Sequence, residues 1–284
     1  MLFRNSYKYK DSTMRAAFKT KQLVATALLA AASIALPSHA MVIGSGEAGH
    51  DDHGYETPQS GSYVLTGNSP SKWGGTSFGS GATVTWSLMP TGVNCAIQGV
   101  EPTGCSVKAL DDFMPTGYLS ALNAAFAAWS AVANIVFTQV QDNGVPFNAP
   151  GTTADIRIGG HAMDGASGTL AHGYFPPPNG TTAAGDIHFD IAETWKLGFG
   201  GPGFDIFQVA AHEIGHAIGL NHSTTPGSLM NPYYTESFRG LQADDIAGAQ
   251  FIYGAADTNP VPVPGSLLLV GLGLAALGAA RRRA

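Results

Sequence analysis

The residues best placed to do chemistry are two histidines four positions apart, with a glutamate directly after the first. They lie in Ala211-His212-Glu213-Ile214-Gly215-His216-Ala217-Ile218-Gly219-Leu220-Asn221-His222. On a helix, positions i and i+4 share a face, so His212 and His216 present two imidazoles side by side. Such a pair reaches one tetrahedral zinc ion at about 2.0–2.1 Å. Glu213 is badly placed to bind the same ion and well placed to act on a water beside it. Gly219 can take a positive φ and break the helix, and the turn it allows returns His222 as a third ligand. Three protein ligands leave one position open, which marks a catalytic rather than a structural zinc. On this chain's composition, H-E-x-x-H arises by chance in about one of 200 such chains. With Gly219 and His222 added, the figure is about one in 40,000. The chemistry this implies is hydrolysis. Zinc acidifies a water and polarises a carbonyl, while Glu213 takes the proton as general base and returns it to the leaving amine.

The elements that must position these groups are legible in part. Ala82–Leu88 alternates and reads as a strand. Leu119, Leu122, Ala125, Phe126, Trp129 and Val132 recur at helical spacing and predict a helix over Tyr118–Ala133. Ile135–Val140 and Ala154–Ile158 read as further strands, with two short ones near Thr169–His172 and Asp186–Asp190. The Gly/Pro-rich stretch Gly198–Gly203 leads into a helix near Asp205–Gly219. A last helix runs over Leu241–Tyr253, with Asp244 and Asp245 in its first turn, where carboxylates suit the helix dipole. Strands first and helices later predict an α+β domain.

Past His222, Ser228-Leu229-Met230-Asn231-Pro232 completes H-E-x-x-H-x-x-G-x-x-H plus a methionine turn, the metzincin signature. More narrowly, residues from about Lys72 to Gly254 resemble a matrixin, the matrix-metalloproteinase-like branch. The match includes Ala125–Trp129, Leu170-Ala171-His172, Gly185–Asp190 and Asp244–Gln250. The resemblance implies a zincin fold, with a twisted mixed sheet and about three helices, the third ligand after a glycine turn, and Met230 as an apolar floor beneath the zinc. It implies a zinc endopeptidase whose protein or peptide substrate lies as an extended strand along the sheet edge near Leu170 and Ala171. Pro232 and Tyr234 would line the pocket for the residue after the cleaved bond. Gln208 stands where relatives often carry an apolar residue that sets the depth of this pocket. Matched residue by residue, Asp164, Asp190 and Glu193 fall on ligands of a structural calcium, and Asp155 and Asp186 on a second. His172 and His188 match two ligands of a structural zinc, with His161 the nearest candidate for a third. The cysteine that keeps mammalian members latent has no counterpart between Ala40 and Lys72.

Both termini read as sorting devices. Six basic residues in the first 21, an apolar run from Leu23 to Leu36, and Pro37-Ser38-His39-Ala40 form a secretory signal peptide over residues 1–40. Residues 41–70 are a Gly/Ser-rich leader, and residues 71–255 hold the metallopeptidase-like domain. A Pro-rich linker over 256–264 then leads to the apolar segment 265–284 with its arginine tail. These last residues resemble the PEP-CTERM sorting tail of Gram-negative bacteria, which implies export, an exosortase-type processing enzyme, and membrane contact through this segment only. A plain C-terminal anchor is the alternative. Cys95 and Cys105, the chain's 2 cysteines, read as a disulfide in an exported protein, with free thiols as the alternative. Between residues 41 and 264, five basic residues face 19 acidic ones. That balance repels phosphate backbones, which excludes nucleic acid as a partner, and suits divalent cations. Two rival functions stay open at this point: a surface or matrix protein with a vestigial metal site, and a zinc amidase acting on cell-wall peptides.

Overall fold

The computed structural model describes residues 39–42, 71–96, 104–177 and 182–257. Most of the segments read above as signal peptide (1–40), leader (41–70) and linker (256–264), and all of the tail (265–284), lie outside the described residues, although residues 39–42 and 256–257 are described. Six strands form one sheet. They are β1 (His39–Val42), β2 (Ala82–Leu88), β3 (Ile135–Gln139), β4 (Ile156–His161), β5 (Thr169–Gly173) and β6 (Ile187–Asp190), in the spatial order β1-β5-β6-β4-β2-β3. Strands β3, β2, β4 and β6 run parallel, whereas β5 is antiparallel to both β6 and β1. A small ladder joins β7 (Trp195–Lys196) to β8 (Phe204–Asp205). The helices are α1 (Tyr118–Val132), α2 (Ile206–Ala217) and α3 (Ala243–Tyr253). The mixed sheet and three α-helices form the α+β layout that the sequence predicts.

The core forms where α1 and α2 pack against one another under the sheet. Leu122, Ala125, Phe126 and Trp129 recur on one side of α1 and are buried. Phe126 stacks on Trp86 of β2 at 4.7 Å between ring centres. Trp129 is fully buried and donates its indole N–H to the Ala211 carbonyl of α2 at 2.9 Å, so its polar edge is satisfied as its rings fill the core. Truncating such a residue to alanine costs roughly 3–5 kcal/mol.

Strand β4 starts two residues later than its apolar pattern predicts and continues through Gly159 and Gly160 to His161. The two glycines weaken strand propensity, yet tertiary contact requires them. A Cβ on Gly159 would meet Val107 at 2.6 Å, and one on Gly160 would meet Phe113 at 2.5 Å. All six residues of β4 are buried, as befits a central parallel strand covered on both faces.

Cys95 and Cys105 form a disulfide. With Met89, Val93, Val107, Phe147, Tyr174 and Ala183 the half-cystine Cys95 makes a second, smaller core. Among the described residues, no helix is long and apolar enough to cross a membrane.

Candidate active site

Helix α2 carries the central motif and is buried along its whole length. His212 and His216 lie on one face, with ring centres 4.7 Å apart. The helix ends at Ala217, and Gly219 follows with φ +106°. A side chain there would be strained by that φ, and its Cβ would strike the Ser71 carbonyl at 2.5 Å. The turn brings the His222 ring to 4.8 Å from His216 and 5.4 Å from His212. The three imidazoles present ligand atoms all within 4.8 Å of one another.

Neighbouring carbonyls set the tautomers. His212 Nδ1 lies 2.7 Å from the Leu229 carbonyl, and His216 Nδ1 lies 2.7 Å from that of Leu220. A carbonyl only accepts, so each Nδ1 carries the proton and each Nε2 offers a lone pair. The two Nε2 atoms stand 3.1 Å apart. That is close to the edge, about 3.3 Å, of a tetrahedron whose arms are 2.0–2.1 Å. A donor set of this kind fits zinc.

The walls of the site are made by distant parts of the chain. Glu213 is fully buried, and β5 ends against it: a Cβ on Gly173 would come within 2.9 Å of the Glu213 carbonyl and 3.3 Å of its Oε2. Met230 is buried and packs against Gly215, where a Cβ would meet Met230 Cε at 3.0 Å. The last carbonyls of α2 are held by the indole N–H of Trp73, 2.8 Å from Ala217 O, and by the hydroxyl of Tyr253, 3.0 Å from Ile218 O. Neither Trp73 nor Tyr253 was legible as part of the site, because their partners are carbonyls of any residue.

A second histidine cluster lies in the sheet. Strands β4, β6 and β5 are neighbours, and His172 and His188 are direct partners in the β5–β6 ladder. His161, His172 and His188 are all buried, with ligand atoms within 4.8 Å of one another. His188 packs against Phe147 of the smaller core at 4.6 Å.

The carboxylates divide. Asp164, Asp190 and Glu193 crowd around one turn. Glu193 accepts the N–H groups of Ser167 and Gly168, and Asp164 accepts that of Thr169. Burial pushes the Glu193 carboxyl up, and the charges of Asp190 and Asp164 add to the rise, against those two hydrogen bonds. Asp190 Oδ2 is buried without a hydrogen-bond partner. Asp155 and Asp186 lie at another place, and Asp186 Oδ2, like Asp190 Oδ2, is buried without a hydrogen-bond partner. Asp155 Oδ2 accepts both the N–H and the hydroxyl of Thr85, and Asp186 Oδ1 accepts the Arg157 N–H. Among the described residues, neither set of carboxylates gathers three ligand atoms as the two histidine clusters do.

Of the expected pocket residues, Leu170 and Ala171 are buried in β5, and Gln208 is buried in α2 one turn before His212. Tyr234 and Pro232 sit on the loop that follows Met230. A cavity of about 250 Å³ opens against this loop, bounded by Tyr233, Tyr234 and Phe238 but by none of the histidines. It is therefore distinct from the space beside His212.

Comparison with known proteins agrees with this geometry. The matrixin family profile matches residues 107–254, and a profile of the PEP-CTERM protein-sorting motif matches residues 260–283. The chain is similar to karilysin of Tannerella forsythia, with 40% identity over 143 residues, covering 48% of this chain and 28% of karilysin. It is similar to stromelysin-3 of Xenopus laevis, 40% identical over 146 residues (49% and 29%). It is also similar to macrophage metalloelastase of Rattus norvegicus, 41% identical over 155 residues (50% and 30%). The matched region thus spans less than a third of each relative. The family profile begins downstream of β2, yet β2 pairs with both β3 and β4 in the same sheet. With more than half of its 284 residues matched by that profile, the chain belongs to the matrixin family.

Proposed function

We propose that the chain is an exported zinc endopeptidase, with residues 71–255 as the catalytic unit. The observation that carries this reading is the convergence of His212, His216 and His222 beside the buried carboxylate of Glu213. His212, His216 and His222 would hold zinc, which when bound would supply Lewis acidity toward a peptide carbonyl and water. Glu213 takes the proton from water and delivers it to the leaving amine. The carbonyls of Leu229 and Leu220 keep His212 and His216 in the tautomer that the reaction needs. The edge of β5 orients the substrate as an extended strand. Its capacity to take an antiparallel strand is supported by β1, which pairs there from His39↔Gly173 to Val42↔Thr169. Gln208, Pro232 and Tyr234 form the pocket for the side chain after the cleaved bond, and Met230 is the floor below the zinc.

The remaining ions belong to the same proposal. His161, His172 and His188 hold a structural zinc, a reading supported by three buried imidazoles with converging nitrogens. Asp164, Asp190 and Glu193 hold a calcium, supported by mutual charge repulsion and the orphaned Asp190 oxygen. The tail 260–283 directs the protein to the surface of a Gram-negative cell, with an exosortase-type protease as its processing partner.

The deciding experiment compares the parent with Glu213→Ala on denatured casein and on peptidoglycan. The expected result is casein cleavage by the parent, none by the variant, and equal zinc content in both. Equal cleavage by the two proteins would overturn the assignment of Glu213. Release of peptides from peptidoglycan alone would make the protein an amidase instead.

A further inference from the structure

Asp205 stands at the N-cap of α2 but makes no side-chain cap there. Its carboxylate is fully buried and is used elsewhere. Oδ1 accepts the N–H of Gly198 at 2.7 Å, and Oδ2 accepts Nε of Arg239 at 2.9 Å. The Asp205 backbone N–H donates to the Tyr234 hydroxyl at 2.9 Å, and that hydroxyl donates onward to Glu236 at 2.8 Å. Glu236 returns to the glycine-rich loop through Lys196 at 2.6 Å and the Gly200 N–H at 2.8 Å. Arg239 also lies over the Phe207 ring at 4.1 Å.

The segment from Tyr234 to Arg239 is thereby fastened to the loop before α2 at both of its ends. It is fastened a second time from inside the helix. Gln208 Oε1 accepts the Gly240 N–H at 2.9 Å, and Gln208 Nε2 donates to the Phe238 carbonyl at 3.3 Å. Withdrawing a carboxylate from water is costly unless it is paired and hydrogen-bonded. A buried aspartate that forgoes its own helix cap to hold two loops therefore points to a positional role.

We propose that Asp205 is a positioning residue for substrate selectivity. Its carboxylate ties Arg239 to Gly198, and that side-chain tie fixes the Arg239 end of the proposed pocket wall beside Gln208, while the Tyr234 end rests on the Asp205 backbone N–H. This rests on the endopeptidase reading above. A wall tied to the same helix as the metal-ligating histidines cannot swing aside for a large side chain. The pocket width is preset, so the wall limits how large a side chain after the cleaved bond is accepted. Cutting the tie lets the wall yield and relaxes selection without touching Glu213 or a histidine.

The test uses three peptides that differ only after the cleaved bond, carrying alanine, leucine or homophenylalanine. In Asp205→Ala the kcat/KM ratio of the homophenylalanine to the leucine peptide should rise at least fivefold over the parent, mainly through KM. Zinc content should be unchanged, and amide exchange over residues 234–240 should be faster. Asp205→Asn, which keeps an acceptor for Gly198 but loses the charge facing Arg239, should lie between the two. Should Asp205→Ala fail to fold, Arg239→Lys cuts the same tie from the loop side and Glu236→Gln weakens the parallel tie to Lys196 and Gly200, and the same direction is expected. Ratios within twofold of the parent in the folded variants would overturn the role of Asp205. A parent that cleaves none of the peptides would overturn the endopeptidase reading itself.

Discussion

Asp245 of α3 holds the methionine turn by the backbone of Met230, whose N–H lies 3.0 Å from Asp245 Oδ1. The same carboxylate accepts the hydroxyl of Ser228 at 2.8 Å, the N–H of Leu229 at 2.9 Å and the N–H of Gln242 at 2.7 Å. One buried side chain thus fixes the turn below His212 and also the start of α3. Leu229 is the residue whose carbonyl orients the His212 ring, so the chain of contacts runs from Asp245 to one of the three histidines proposed to hold zinc.

Replacing Asp245 by alanine strands several buried donors at once. Each unsatisfied buried group costs about 1–3 kcal/mol, so the loss should exceed 3 kcal/mol in urea denaturation. Asp245→Asn keeps one acceptor and should lose less. Both variants should release zinc to a chelator faster than the parent, because the His212 ring loses its fixed partner. Unchanged release rates in a destabilised but folded variant would confine Asp245 to a structural role.

Gly215 offers a test of packing rather than hydrogen bonding. A methyl group there meets Met230 Cε at 3.0 Å and Trp129 Cζ2 at 3.1 Å. Alanine is the better helix former by up to about 1 kcal/mol, but overpacking a tight core costs about 1–3 kcal/mol. The steric term wins because Met230 Sδ lies closer still and both Met230 and Trp129 are buried. Gly215→Ala should be less stable than the parent and should lower kcat/KM. Gly215→Ala with Met230→Ala should regain part of the lost stability relative to Met230→Ala alone. No such coupling between the two sites would mean that they do not meet as described.

Metal removal separates the two histidine clusters. The parent should bind two zinc ions, measured by elemental analysis of the exported protein. His188→Ala should bind one and still cleave casein, with a lower melting temperature. His222→Ala should bind one firmly and cleave nothing. A parent with a single zinc, unchanged by His188→Ala, would leave the sheet histidines as a hydrogen-bonded cluster packed on Phe147 and Tyr174.

The two kinds of residue in this site differ in how far the sequence reveals them. The histidines and Gly219 are a local pattern, because helix periodicity and one positive φ bring them together within eleven positions. The boundaries of α1 and β2 follow equally from local spacing. Strand β4 does not, because Gly159 and Gly160 break its pattern and only the packing of Val107 and Phe113 explains them. Asp245 reads locally as a helix first-turn carboxylate, and its partners in the turn lie 15 to 17 positions away. Asp205 and Arg239 are 34 positions apart, and nothing in either neighbourhood announces the pair. What sequence spacing cannot show is which distant loop a charged side chain closes.

The ion pair of Asp142 and Arg157 gives the clearest dependence on pH. The guanidinium and carboxylate meet at 2.7 Å, and both side chains are almost entirely buried. Burial pushes the Asp142 carboxyl up, but hydrogen bonds from Arg157, Ser87 and the Gly144 N–H, with the charge of Arg157, hold it below its ordinary value. Asp186 also faces Arg157, accepting its backbone N–H at 2.8 Å, and burial keeps that carboxyl well above the usual range. A depressed carboxylate adds stability that is complete above its unfolded pKa, about 3.9. That contribution is lost as the pH falls through the lower folded value. Asp142→Asn leaves Arg157 buried without its partner, which costs about 3–5 kcal/mol. The stability gap between parent and variant should therefore be wide at pH 7 and should narrow toward pH 3. Comparing the two proteins at each pH cancels the effect of metal loss, which they share. A gap that stays constant across this range would show that Asp142 contributes by shape and neutral hydrogen bonding, and not by charge.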